Sequence, residues 1–160
     1  MPGTKIRHGK RGTIARVGAE YRALDRVVRR LGRRLSQPVP GFGARARITR
    51  ERWTGKDALA HIVEWKRHQL RTLRSEAHDM TLRGKPIDVQ NRMLYARWHR
   101  RPVRNVVAYH RAVHRDVMAA LRARPESYFG DSPRSPLWPN DLVGHSAGHR
   151  QRHLESLLVD

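Results

Sequence analysis

The sequence predicts an all-α protein, a four-helix bundle with long connections and a basic N-terminal arm. Three observations carry that prediction. Apolar side chains return every three or four positions in several stretches, the spacing that gathers them on one face of a helix. No stretch alternates with the two-residue period of a strand, and no segment repeats. Clusters of Pro, Gly and Ser separate the periodic stretches and stop each helix. At 160 residues the chain suffices for one domain with its own core, expected over residues 13–160 behind a flexible arm over 1–12.

The first helix is expected from Thr13, on Ile14, Val17, Tyr21, Leu24, Val27, Val28, Leu31 and Leu35. Its opposite face carries Arg16, Arg22, Arg26, Arg29, Arg30 and Arg33. Ser36 to Arg52, with Pro38, Pro40, Gly41 and Gly43, is a long connection. Thr54 followed three residues later by Asp57 is an approximate capping box, with Trp53 at the staple position before it. The second helix then runs to about His78, and a turn with Gly84 and Pro86 leads into a short helical piece from Asp88 to about Arg100. Pro102 suits the first turn of a third long helix that reaches Arg124. Pro125 to Pro139 is a loop, and Asn140 is expected to cap the last helix, which carries Leu142, Val143, Leu154, Leu157 and Leu158.

Charge narrows the partners. Lys and Arg number 34 against 14 Asp and Glu, a formal net charge of +20. Such a field attracts polyanions, so non-specific nucleic acid is a candidate partner, with Arg22, Arg26, Arg29, Arg30 and Arg33 as phosphate contacts. Arg outnumbers Lys 29 to 5, however, a ratio that GC-rich coding produces unaided. No helix-turn-helix, zinc-finger or RNP-type aromatic pattern accompanies the charge. The absence of cysteine removes disulfides, thiolate ligands and a thiol nucleophile. No apolar run is long enough to span a membrane and Met1 to Lys10 lacks the apolar core of a signal peptide, so the expected location is cytoplasmic.

Ten histidines are the main chemical signal. His145, His149 and His153 follow at four-residue steps, the spacing at which two imidazoles on one helical face grip a single ion. An H-x-x-x-H pair needs a third ligand, and His61, at the polar border of an otherwise buried face, is the natural candidate. His68, His78 and His99 read as solvated, and His110 and His114 as packed core histidines.

These stretches also resemble a known family. The segment from Trp53 to Trp65, with Thr54, Asp57, Leu59 and His61 in register, is similar to the helix-two signature of the DinB/YfiT-like superfamily. Asp88 to Asn91, followed by Tyr95, resembles its D-x-x-N piece, and Gly144 to His153 resembles its histidine-rich last helix. The resemblance covers residues 13–158 and is strongest to the DfsB-like group, which includes colibactin-type self-resistance proteins. It implies a four-helix bundle holding a divalent metal, zinc or nickel, on His61, His149 and His153, with His145 as the alternate if the register shifts. It further implies a metal-assisted hydrolase or thiol S-transferase acting on a small electrophile, in detoxification or self-resistance. DfsB-like relatives open cyclopropanes without metal.

With no cysteine in the chain, a thiol nucleophile would have to be a low-molecular-weight co-substrate. Glu64, one turn after His61, is read as a carboxylate that orients a ligand, a general base, or a salt-bridged helix residue; the expected catalytic pair is Glu64 with His61. Trp65, Asn91, Tyr95 and Trp138 are candidate pocket walls or plain core. The contrasting expectation is a basic DNA-associating protein that sequesters a reactive metabolite without metal catalysis. A homodimer is compatible with either.

Overall fold

Apolar periodicity becomes helix throughout the part of the chain that the computed structural model describes, residues 9–39, 51–129 and 140–159. The expected pocket residue Trp138 and positions 1–8 of the expected arm lie outside the described residues. The fold is all-α. The described residues form no strand; one isolated antiparallel bridge joins Pro38 and Thr54. No helix among them is long and apolar enough to cross a membrane.

Helix α1 spans Lys10–Leu31. It begins three residues before the expected start, because Lys10 is tied down: its backbone N–H donates to Glu126 Oε1 at 3.1 Å and its ammonium to the Arg122 carbonyl at 2.6 Å. Residues 10–12 are therefore helix rather than arm. At the other end Gly32 takes a positive φ of 49°, and a tighter turn over Gly32–Ser36 tucks Leu35 into the core. The α-helix thus stops at Leu31, short of the expected Leu35.

Chain segments on either side of residues 40–50 meet at the bridge. Val39 N–H donates to the Trp53 carbonyl at 2.9 Å and Gly55 N–H to the Gln37 carbonyl at 3.0 Å. The approach is close at Gly55, where a Cβ would stand 2.8 Å from Leu157 Cδ1 and 3.3 Å from the Leu35 backbone.

Helix α2, Gly55–Arg74, opens on the expected capping box. Thr54 N–H donates to Asp57 Oδ2 at 2.9 Å and Asp57 N–H to Thr54 Oγ1 at 3.4 Å. Every residue from Gly55 to Glu64 is buried, so α2 is the central helix, with α4 (Val103–Ala123) as its principal neighbour. It ends at Arg74 rather than near His78. Ser75 turns left-handed at φ 55°, and Arg124 occupies the helix end, donating to the Leu73 carbonyl at 2.6 Å and to Ser75 Oγ at 2.9 Å.

Helix α3, Ile87–Trp98, buries only Leu94 among its own residues and is held at its C-terminus by a lysine from α2. The buried Lys56 ammonium donates to the carbonyls of Trp98 (3.3 Å), His99 and Arg101 (2.8 Å). The last helix differs most from expectation. Asn140–Leu142 forms a separate turn and Val143 sits at the cap position, so Asn140 does not cap the helix. Helix α5, Gly144–His149, then widens into a π turn over Arg150–Leu154 and narrows again over Glu155–Leu158.

The core that these elements share contains Leu24, Leu59, Ile62, Val63, Val106, Val117, Leu121, Leu142 and Leu154, each almost wholly buried. Among the polar groups buried with it are Asp57 and Lys66. Asp57 Oδ2 also meets His99 Nδ1 at 2.9 Å, so His99 is anchored rather than merely solvated. Lys66, on α2, is 6% exposed, with Glu20 as its attractive neighbour and Arg150 as a repelling one. Burial lowers its amine from 10.5 to about 8.

That burial has a sign. Between about pH 8 and 10.5 the unfolded chain binds more protons at Lys66 than the folded one, so stability rises with pH across this window. Lys66→Met is expected to flatten that rise and to raise stability at pH 7 by ~3 kcal/mol in urea denaturation. An unchanged pH slope in the variant would show that Lys66 keeps its proton at ordinary cost. Separately, Asp57→Ala is expected to cost about 1–2 kcal/mol through the lost cap, read as a lower thermal midpoint, with Asp57→Asn recovering part of it.

Candidate metal centre

Three imidazoles converge from two helices. His61, in the second turn of α2, is 4% exposed, while His145 and His149 on α5 are half-buried. One ring nitrogen from each lies within 4.8 Å of the others. The His61 and His145 Nε2 atoms face each other at 3.2 Å. Ring centroids are 5.1 Å apart for His61 and His145, 4.7 Å for His61 and His149, and 4.4 Å for His145 and His149.

Burial keeps the rings uncharged. It is the first cause lowering His61 well below the ordinary histidine value, with its neighbours His149, His145 and His153 adding to the shift. His145 is pushed down to about 4 by burial, then by Lys66 and Arg152. His149 falls to about 3, by burial and then by His145, His153 and Arg152. Near neutral pH all three therefore offer lone pairs rather than N–H⁺ groups. Three neutral imidazoles are a fitting donor set for zinc, nickel or a similar divalent ion. The buried His145 Nδ1 has no hydrogen-bond partner among the described residues, so this ring is held by a hydrogen bond only through its Nε2 contact with His61.

Of the two pairs the sequence left open on the last helix, it is His145 and His149, rather than His149 and His153, that converge with His61 among the described residues. The π turn begins at Arg150, immediately after His149, and its wider spacing carries His153 off the common face. His153 instead stacks on His149 at 5.4 Å.

The last helix is pinned by one carboxylate. Glu20, buried on α1, accepts from Ser146 Oγ at 2.9 Å, from Arg150 Nε at 3.0 Å and from Arg150 Nη2 at 2.9 Å. Arg150 also donates to Glu155. These bonds hold the residues directly after His145 and His149, and so set where both rings point. Breaking a buried charge pair costs about 3–5 kcal/mol through the charge left behind, whereas the intact pair adds little net stability. Its contribution here is position.

Trp53 closes one side of the centre, edge-on to His61 with centroids 5.9 Å apart, a role its staple position did not suggest. Trp65 stands on another side, 6.3 Å from both His61 and His145. Beyond Trp65 lies a separate cavity of about 440 Å³ between α2, α3 and the loop joining them, lined by Trp65, Glu64 and Leu94 but by none of the three histidines. Glu64 does not face the centre. Its Oε1 accepts from Trp98 Nε1 at 2.8 Å and Arg97 Nη1 at 3.3 Å, so the salt-bridged reading holds and the general-base reading has no geometric support.

Of the other expected pocket walls, Tyr95 packs on Trp53 at 5.0 Å and on His99 at 4.5 Å, outside the cavity lining. Asn91 is absent from that lining too, though its neighbours on α3, Gln90 and Leu94, belong to it. His110 is core, as expected, with Nε2 3.4 Å from Asp25 Oδ1, and His114 stacks on Tyr21. His68 and His78 stack on each other at 4.1 Å and both line the cavity; His78 is exposed, as expected, while His68 is partly buried. The five arginines expected on α1 are all exposed, Arg33 just past its end.

No family model, curated protein or solved structure matches this chain.

Glu20→Gln keeps the shape of the pin and removes its charge. It is expected to weaken zinc binding, measured by competition with a chromophoric chelator, by about tenfold or more. Equal zinc affinity in the two proteins would mean that the pin does not position the rings.

Proposed function

We propose that the chain is a DinB/YfiT-like four-helix bundle in which His61, His145 and His149 hold a divalent ion, zinc or nickel. In this reading it acts on a small electrophilic metabolite, by hydrolysis or by transfer of a low-molecular-weight thiol, as a detoxifying or self-resistance enzyme. The observation that carries the proposal is the convergence of three neutral ring nitrogens from two helices within 4.8 Å. A divalent ion bound there would act as a Lewis acid, lowering the proton affinity of a bound water or thiol.

The chain's own residues supply the rest. Trp53 and Trp65 exclude water from two sides of the rings. No carboxylate belongs to the three-residue group, and Lys66 and Arg152 lie near it, so an anionic nucleophile is favoured there over a neutral one. In thiol transfer the sulfur forms a bond to the electrophilic carbon, the leaving group departs with the bonding pair, and the thiol proton goes to a nearby base. With Glu64 committed to α3, the proposal gives that proton to His153, which stacks on His149.

Elemental analysis of untagged protein purified without chelator tests the site. Near-stoichiometric metal is expected in the wild type and in His153→Ala, and a loss of most of it in His145→Ala and His149→Ala. Metal lost from His153→Ala but kept in His145→Ala would return the site to the other register. Metal-free wild-type protein that gains none on zinc addition would end the proposal.

A second reading rests on the arginine face. Of Arg22, Arg26, Arg29, Arg30 and Arg33, only Arg29 is ion-paired among the described residues, to Asp25 at 2.7 Å. Four guanidiniums with no ion pair among the described residues, three on α1 and Arg33 just past its end, fit a protein that lies on DNA and sequesters a reactive metabolite. Duplex binding that falls steeply with salt, and less steeply in an Arg26→Ala/Arg30→Ala variant, is its expected signature.

A further inference from the structure

The cavity beyond Trp65 is a second compartment, and its wall has a definite chemistry. Its volume of about 440 Å³ falls within the range of small-molecule sites, roughly 300–1,000 Å³. One side is apolar, built from Trp65, Leu82 and Leu94. His68 and His78 add a stacked pair of rings, and burial is the first cause that lowers His68 below its ordinary value. Flat apolar molecules are favoured against such a surface.

The charges of the wall do not cancel. Both of its acids are already engaged. Glu64 is held by Arg97 and Trp98. Asp79 accepts from Thr81 Oγ1 at 2.6 Å and from Arg97 Nη2 at 2.8 Å, and the Thr81 hydroxyl is the first cause holding it down to about 2. Arg71 reaches Asp79 only at 4.0 Å. Arg83 has no acidic partner among the described residues; its one polar contact is Nη1 to Met80 Sδ at 4.0 Å. A guanidinium left over beside an aromatic and aliphatic pocket recognises an anion attached to an apolar body.

We infer that this cavity binds a small amphipathic anion: a flat apolar body against Trp65 and Leu94, with one carboxylate, sulfonate or phosphate on Arg83. The inference stands apart from the metal reading, because none of the three converging histidines lines the cavity.

Anilinonaphthalene sulfonate, which has this chemistry, is the probe, with neutral phenylnaphthylamine as its uncharged counterpart. Fluorescence titration of the full chain is expected to show saturable one-site binding of both. Arg83→Ala should weaken the sulfonate about tenfold and leave the neutral probe unchanged. Ala77→Trp, an exposed lining position, should fill the cavity and abolish both. Arg30→Ala, on the arginine face of α1, should change neither, and His145→Ala should bind both as the wild type does. Equal weakening by Arg30→Ala and Arg83→Ala would reduce the effect to general attraction by a +20 chain and overturn the site. Undiminished binding in Ala77→Trp, whose fold circular dichroism can check, would overturn it as well.

Discussion

A single buried carboxylate anchors the helix that carries two of the three converging histidines. Glu20 reaches from the middle of α1 to the last helix and takes three hydrogen bonds from Ser146 and Arg150. Those two residues directly follow His145 and His149, so the anchoring is local to the rings it positions. An apolar contact at the same place would exclude water equally well but would tolerate rotation of a helix about its axis. Directional bonds to a fixed carboxylate do not. The π turn begins at Arg150 itself, where the donor lies, so the irregular backbone and the ion pair share one location. π turns recur at functional sites because they re-aim side chains that a regular helix would place elsewhere.

Desolvation governs the electrostatics around this anchor. For His61, His145 and His149 burial is the first cause of the lowered proton affinity, ahead of every neighbouring charge. The same holds for Lys66, although Glu20 pulls it the other way. Attraction by one carboxylate shared with Arg150 does not offset removal of an ammonium from water. The interior thus keeps several basic groups with their protons weakened or absent, while the surface of the same chain carries a large positive charge. An apolar residue of similar volume in place of Lys66 would avoid the desolvation cost.

Legibility in the sequence followed the range of the interactions. The all-α class, the capping box at Thr54 and the principal helices were readable, because each rests on periodicity or on residues three or four apart. Helix ends set by distant partners were not. Arg124 terminates α2 from about fifty positions away, and Glu126 holds the start of α1 from across the fold. The candidate site divides in the same way. His61 and His149 were readable from spacing and resemblance, whereas the choice of His145 over His153 was not, since it turns on a π turn that no residue in Arg150 to Leu154 announces. Glu64 was placed one turn from His61, and its choice among base, orienting carboxylate and salt-bridged residue was not legible, because Trp98 and Arg97 lie more than thirty positions on.

Trp65 then makes sense as a partition. Its ring stands 6.3 Å from His61 and His145 on one side and 5.4 Å from His68 on the other, and it lines the neighbouring cavity. Glu64, adjacent in sequence, is locked to α3 and fixes the cavity wall rather than the histidines. Two compartments with opposite needs are thereby kept apart along one helix. The histidine centre requires neutral donors in a confined space, which burial provides. The cavity is open to solvent through exposed residues such as Met80 and Arg83 and keeps a charged guanidinium at its edge. A heptad-like face cannot serve both, and α2 does so because successive turns of a central helix address different neighbours. His61 looks toward α5, while Glu64 and His68 look toward α3 and the loop before it.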